Sequence, residues 1–321
     1  MTAALAAEQF ASFEVAPWQW GLFLALVTGL LLVDLLVLHR KPHVIPFKEA
    51  AIESGVWVVI GLSFGLLILG WHGGQAAGEY WTGYLLELSL SVDNVFVWAV
   101  ILTFFAVPAQ YQFRVLFWGV FGALVLRAVF IFAGVALIDA FSAVLYVFGA
   151  ILLWSAWKIA THDEDEVVDL NNSRTMRVIR RFVPSTTEYD GQKLFTRIDS
   201  RRLATPLFAV LVLIETTDLI FAVDSVPAVL AVAREQFIVF SSNAFAILGL
   251  RSLYFMLGGM AGRFRYLNIG LGIILASVGV KMLLSNVWHP PGWASLVLIV
   301  IVLAITIYAS VLADRREGTT P

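Results

Sequence analysis

The chain has 321 residues, 60% of them hydrophobic and only 14% charged, with a net charge of −2 and a mean hydropathy of +0.86. A soluble domain is about 45–50% apolar and about 25% charged, so this composition is that of an integral membrane protein. The charge balance offers no basic face for phosphates and excludes nucleic acid as a partner. The absence of cysteine excludes disulfides, thiolate metal sites and thiol redox chemistry.

A helix needs about 20 apolar residues to cross a bilayer. The chain offers nine such runs, near 18–38, 52–71, 80–104, 113–138, 143–160, 206–232, 238–261, 266–285 and 293–313. The N-terminus lacks the basic n-region of a signal peptide, and the first run is long enough to span, so it reads as a retained helix. Arg40, Lys41 and Lys48 follow the first run, whereas only Glu79 follows the second. Arg114 follows the third, and Asp139, without a base, the fourth. The long fifth connection holds Arg174, Arg177, Arg180, Arg181, Lys193, Arg197, Arg201 and Arg202. A single Arg234 beside Glu235 comes next, then Arg263 and Arg265, then a connection with no base, and finally Arg315 and Arg316. This alternation predicts an N-terminus outside and a C-terminus in the cytoplasm. The expected fold is all-α: a polytopic membrane protein of about nine transmembrane helices in the bacterial inner membrane. Asp34, near the cytoplasmic end of the first run, reads as an interfacial residue beside Arg40.

The connection 161–205 is the one sizeable polar part. Its acidic run from His162 to Glu166 reads as a solvated helix tail. Arg174 to Val183 spaces bases among Met176, Val178, Ile179 and Phe182, the pattern of a short amphipathic helix on the anionic cytoplasmic leaflet. Residues 193–204, with Asp199-Ser200 in the middle, predict a small hairpin.

Two stretches place acids inside apolar runs at matching spacing. Glu87-Leu-Ser-Leu-Ser-Val-Asp93-Asn94-Val superposes on Asp218-Leu-Ile-Phe-Ala-Val-Asp224-Ser225-Val, and Glu215 lies three residues upstream of the second. Downstream, the stretch ending at Arg127 resembles the one ending at Arg251, and the stretch Gly149–Lys158 resembles Gly272–Lys281. Three landmarks recur in one order, so runs three to five and six to eight are two three-helix units. Three is odd, so the second unit enters the membrane from the opposite side. Such inverted repeats are a transporter architecture with the substrate site at the midplane. The organisation predicted is an N-terminal two-helix segment 1–78, a first repeat 79–160, a cytoplasmic loop 161–205, a second repeat 206–285, and a last helix with its tail, 286–321.

A carboxylate at bilayer depth costs roughly 2.5–3.5 kcal/mol. Five of them would cost on the order of 10–15 kcal/mol, so a bound cation or protons must compensate. Residues six apart on a straight helix lie about 120° apart, so Glu87 and Asp93 cannot face one point without distortion. Helices broken or kinked at midplane, with freed carbonyls as ligands, are therefore expected. The candidate ligands are Glu87, Asp93, Asn94, Glu215, Asp218, Asp224 and Ser225, with Arg127 and Arg251 in support. This oxygen-only set suits Mn²⁺, Mg²⁺ or Ca²⁺ and is poor for Cu⁺ or Zn²⁺. No histidine lies mid-span. Like charges and desolvation favour protonation once an ion leaves, so cation release in exchange for protons follows. Pairing with Arg127 and Arg251 is the bland account of the acids, but two arginines neutralise at most two of five carboxylates. An intramembrane aspartyl protease is disfavoured because Tyr-Asp and Gly-x-Gly-Asp motifs are absent from the spans. No enzyme chemistry and no cofactor are expected.

These motifs resemble the TerC family of bacterial membrane proteins, and within it the Alx-type manganese exporters. The resemblance rests on Ser-Val-Asp93-Asn94-Val-Phe-Val, Phe221-Ala-Val-Asp224-Ser225-Val-Pro227, Ala204-Thr-Pro206 and Ala246-Ile-Leu-Gly-Leu-Arg251, and runs from about Trp20 to Tyr308. The chain is similar, more distantly, to the LysE-type exporter superfamily. The resemblance implies Mn²⁺ efflux across the inner membrane, with Glu87, Asp93, Glu215, Asp218 and Asp224 as the intramembrane acids. A transporter of another hard cation such as Ca²⁺, and a non-transporting assembly or stress-response factor, remain the alternatives.

Overall fold

In the computed structural model, which describes residues 10–38, 43–141, 143–161, 186, 189–198, 201–257, 266–284 and 292–317, proline sets the start of four helices. Pro17 and Pro206 occupy the first turns of α1 (Pro17–Val33) and α5 (Pro206–Leu230), and Pro46 and Pro108 cap α2 (Phe47–Phe104) and α3 (Ala109–Ala140). Proline fits there because its missing N–H has no intrahelical partner at a helix start and its φ is already helical. α1 runs on into a π-helical turn, Asp34–Leu38. The remaining elements are α4 (Val144–Thr161), β1 (Phe195–Ile198), β2 (Arg201–Ala204), α6 (Gln236–Leu248), α7 (Leu250–Leu257), α8 (Leu267–Leu283) and α9 (Gly292–Glu317).

α2 has 58 residues. Straight, it would reach about 87 Å, close to three times the ~30 Å hydrocarbon core. It is broken at Gly73, whose φ of 84° and ψ of −178° only glycine adopts readily. One chain segment thus makes two arms, covering the second and third apolar runs. The expected connection shrinks to this single break, and Glu79 falls on a helix, 3% exposed, instead of in a loop.

Helix covers most of the described residues in each of the apolar runs. Among the described residues, five helical stretches are long and apolar enough to cross a membrane: Pro17–Leu36, Phe47–Phe104, Ala109–Ile138, Pro206–Leu230 and Gln236–Leu257. Gly272–Leu283 and Ala294–Ser310 are shorter apolar helices. The peripheral helices turn large apolar side chains outward, among them Leu22, Leu24 and Leu32 of α1 and Val300, Ile301 and Ile305 of α9. α6 has the opposite character and is buried from Phe237 to Leu248 apart from Phe240. The polar residues gather inside, around α6.

The packing follows the repeat. α4 packs on α8, its counterpart, with Gly149 and Gly279 at the crossing; a Cβ on either would stand 3.1 Å from the other's carbonyl oxygen. Small residues let helices approach this closely in a membrane. α2 packs on α6 and α7, and α3 on α5, which is the same contact made once from each unit. This is the pattern that a two-fold relation between the units would give.

The predicted hairpin is present: β1 and β2 are antiparallel, with Phe195 opposite Ala204 and Ile198 opposite Arg201. Its approach segment ties to both units. The Tyr189 hydroxyl donates to the Phe105 carbonyl at 2.7 Å, and Phe195 packs on Phe208 of α5. Hydrogen bonds from the Thr196 hydroxyl and the Lys193 ammonium hold the Asp190 carboxyl below its usual range. The acidic run 162–166 and the predicted amphipathic helix 174–183 lie outside the described residues. At the other end, residues before α1 cross the bundle. The Ala11 N–H donates to Glu79 Oε1 at 2.6 Å, Phe13 stacks on His72, and Arg234 covers Phe10.

Nothing lies within 4 Å of a Cβ added at Gly73. Gly73→Ala is therefore expected to destabilise through the backbone alone, by about 1–3 kcal/mol. Thermal unfolding in detergent measures this, and an unchanged midpoint would show that the break is not glycine-dependent.

Candidate cation site

Glu87, Ser91 and Asn94 are spaced i, i+4, i+7 and share one face of the second arm of α2. Asp218 and Ser225 share a face of α5 by the same i, i+7 rule. These faces meet at Arg127 of α3 and Asn243 of α6. The exposures are 0% for Glu87, 1% for Arg127, Asn94 and Asn243, 2% for Asp218 and 3% for Ser225.

Arg127 is the hub. Its Nη1 donates to Glu87 Oε1 and, at 3.2 Å, to Ser225 Oγ; its Nη2 donates to Asp218 Oδ1 at 3.1 Å. Nε lies 3.4 Å from Asp218 Oδ2. Each carboxylate is further held by amide and hydroxyl donors. Asn243 Nδ2 donates to Glu87 Oε2 at 2.9 Å, Ser91 Oγ to Glu87 Oε1 at 2.9 Å, and Asn94 Nδ2 to Asp218 Oδ1 at 3.2 Å. One acid from each unit thus shares one guanidinium.

Two buried oxygens here have no hydrogen-bond partner among the described residues, Asn94 Oδ1 and Glu215 Oε2. Glu215 precedes Asp218 by three residues on α5, and it packs against Gly122 of α3, where any side chain would overlap its carboxylate. Unsatisfied buried acceptors are costly, so oxygens left open in this way suit a cation. Among the described residues, no group of three or more His, Cys, Asp or Glu is gathered closely enough to hold a metal by itself. Asp93 and Asp224 lie on these helices, but their side chains are outside the described ones.

Three expectations are corrected. The helices are not broken at the acids: α2 and α5 run unbroken through Glu87–Val95 and Asp218–Val226, and the break in α2 is 14 residues before Glu87, at Gly73. The acids are held instead by donors, Arg127 and the side-chain amides of Asn94 and Asn243. Asp34, expected at the interface, is buried within the protein. It is 2% exposed and paired with Arg251, whose Nη2 donates to Asp34 Oδ1 at 2.6 Å and whose guanidinium stacks on Phe113. Arg251 therefore does not support the central acids, although it is the repeat counterpart of Arg127. Asn243 was missed. Its signal is a lone amide in the apolar stretch Phe237–Leu248.

The chain matches the TerC integral membrane protein family over residues 72–318, and it belongs to that family. It is 45% identical over 305 residues to an uncharacterized membrane protein of Myxococcus xanthus, covering 95% of each chain. It is 42% identical over 314 residues to a Photorhabdus laumondii protein named as a candidate membrane-bound redox modulator, Alx, covering 95% of this chain and 98% of the relative. The protein of the same name from Escherichia coli K12 is 42% identical over 311 residues, 94% of this chain and 96% of the relative. No solved structure matches the chain.

Removing one partner of a buried ion pair typically costs about 3–5 kcal/mol, whereas replacing both by apolar residues is often neutral. Asp34→Leu alone is expected to destabilise strongly and Asp34→Leu with Arg251→Met to recover most of the loss. Melting temperatures of the two variants provide the comparison.

Proposed function

We propose that the protein is a secondary transporter of the bacterial inner membrane that exports divalent cations, Mn²⁺ foremost, in exchange for protons. The observation that carries this reading is the meeting of Glu87 and Asp218, one from each unit, at a fully buried site rich in oxygen donors. Its ligands are drawn from Glu87, Asp93, Asn94, Asp218, Asp224 and Ser225, with Glu215 beside them.

The donor set supports the choice of cargo. Carboxylate, amide and hydroxyl oxygens bind hard cations, and thiolate or imidazole, which would draw softer metals, is not offered by any residue in the contacts described. A net negative inner surface disfavours oxyanions. The inverted arrangement supports alternating access, since two units of opposite orientation can rock about a shared site. The distribution of basic connections supports an N-terminus outside and a C-terminus in the cytoplasm. A redox role of the kind that names the Alx relatives would need a carrier other than thiols, because the chain has no cysteine. Ca²⁺ shares the ligand chemistry and is the second cargo to measure.

The test uses purified protein in liposomes loaded with a Mn²⁺-sensitive dye. With the lumen more acidic than the bath, wild type is expected to draw Mn²⁺ into the liposomes as protons leave, with Ca²⁺ slower. Glu87→Gln and Asp218→Asn should each lower the initial rate by at least about 10²-fold, the scale on which losing a positioned charged group acts. Absence of flux in wild type, together with unchanged cellular manganese on expression, would overturn the transport reading.

A further inference from the structure

We propose that Arg127 is a tethered counter-cation: it competes with the transported ion for Glu87 and Asp218, and on displacement it moves to Glu215. This rests on the cation-transport reading and adds how the site empties.

The geometry makes the competition direct. Three nitrogens of one guanidinium point at Glu87 Oε1, Asp218 Oδ1 and Asp218 Oδ2. A divalent cation must approach those same oxygens to about 2.0–2.6 Å. Ion and guanidinium would then fill one volume and repel as like charges in a medium of low dielectric. Only one of them can hold the pair of acids at a time.

Glu215 gives the displaced guanidinium a destination. It is three residues from Asp218, on the same face of α5. Its Oε2 is buried and partnerless among the described residues. It lies against Gly122, five residues before Arg127 on α3, where only glycine leaves room for its carboxylate. Residues three apart on a helix have Cβ atoms about 5–6 Å apart, so Asp218 and Glu215 stand within one turn of each other on α5. The flexible stem of Arg127 would carry the charge over that distance.

The arrangement bears on release as well as capture. A site of bare carboxylates would bind a divalent ion tightly and let it go slowly. A guanidinium held one turn away, with its preferred partners occupied by the cargo, favours departure of the ion. The forked donors of arginine suit this exchange, because they reclaim both carboxylates together. Ser225 and Asn243, which accept from Arg127 at 3.2 and 3.5 Å, mark the position to which it returns.

The test is Mn²⁺ binding to the purified, full-length protein in detergent, read from the EPR signal of free Mn²⁺, in wild type, Arg127→Gln, Glu215→Gln and the double variant. Arg127→Gln is expected to bind Mn²⁺ at least about tenfold tighter than wild type, and to transport it more slowly in liposomes. Glu215→Gln is expected to weaken binding several-fold when Arg127 is present and to change it little when Arg127 is Gln. Binding by Arg127→Gln that is no tighter than wild type overturns the proposal. So does an equal loss from Glu215→Gln in both backgrounds, which would make Glu215 a direct ligand. Should Arg127→Gln not purify as a single species, Arg127→Lys carries the same sign of effect, since a point charge cannot hold both acids as the fork does. Wild type that neither binds nor moves Mn²⁺ would remove the transport reading itself, whereas wild type that binds beside a variant that binds no tighter removes only the role of Arg127.

Discussion

Folding alone does not favour a guanidinium buried to 1% exposure between two carboxylates. Taking such charges out of water costs several kcal/mol each, and well-packed apolar residues of the same volume usually serve stability as well or better. Much of the interior is nevertheless arranged to keep this group satisfied. Asn94, Asn243, Ser91 and Ser225 come from three helices, and each contributes a hydrogen bond to the group. Those helices must cross at one level for the bonds to form. The depth and rotation of α2, α3, α5 and α6 are thereby tied to a few polar contacts, while the apolar residues outside them tolerate many substitutions. In a bilayer this matters more than in water, because lipid gives helices little hydrophobic reason to prefer one register over another.

The repeat explains the position of this group, and its imperfection explains the character. Arg127 and Arg251 occupy matching places in the two units, yet their surroundings differ. Arg127 faces the seam and meets an acid from each side. Arg251 faces Asp34, which belongs to neither unit. The helix that precedes the repeats thus neutralises the second arginine and leaves the first alone with the acids. With both arginines at the seam, one more of the acids there would be neutralised.

Much of the fold was legible in the sequence because its signals are strong. Runs of about 20 apolar residues between polar connections have few alternatives to helix, and Asp199-Ser200 between short strands specifies a hairpin. What was misread concerns long-range partners. Asp34 was read from its nearest base in sequence, Arg40, and nothing local pointed to Arg251, 217 residues away, with which it pairs. The pairing of Glu87 with Asp218 followed from the repeat. The expected helix breaks did not, because they assumed that Glu87 and Asp93 must converge; the i+7 spacing of Glu87 with Asn94, and of Asp218 with Ser225, already offered straight helices an alternative. Asn243 has no repeat counterpart among the motif acids, so the superposition could not draw attention to it.

The crossing of the N-terminal residues over one end of the bundle and the docking of the hairpin at the other bear on how the two units can move. Neither segment belongs to the repeats, and each laces one rim of the molecule. One rim is fastened by the Ala11–Glu79 hydrogen bond, the Phe13–His72 stack and the contact of Arg234 with Phe10. The other is fastened by Tyr189 to the Phe105 carbonyl and by Phe195 against Phe208. Contacts of these kinds contribute roughly 0.5–1.5 kcal/mol apiece. Among the described residues, the contacts just named close each rim by a few kcal/mol, a gap small enough for a ligand's differential affinity to reverse.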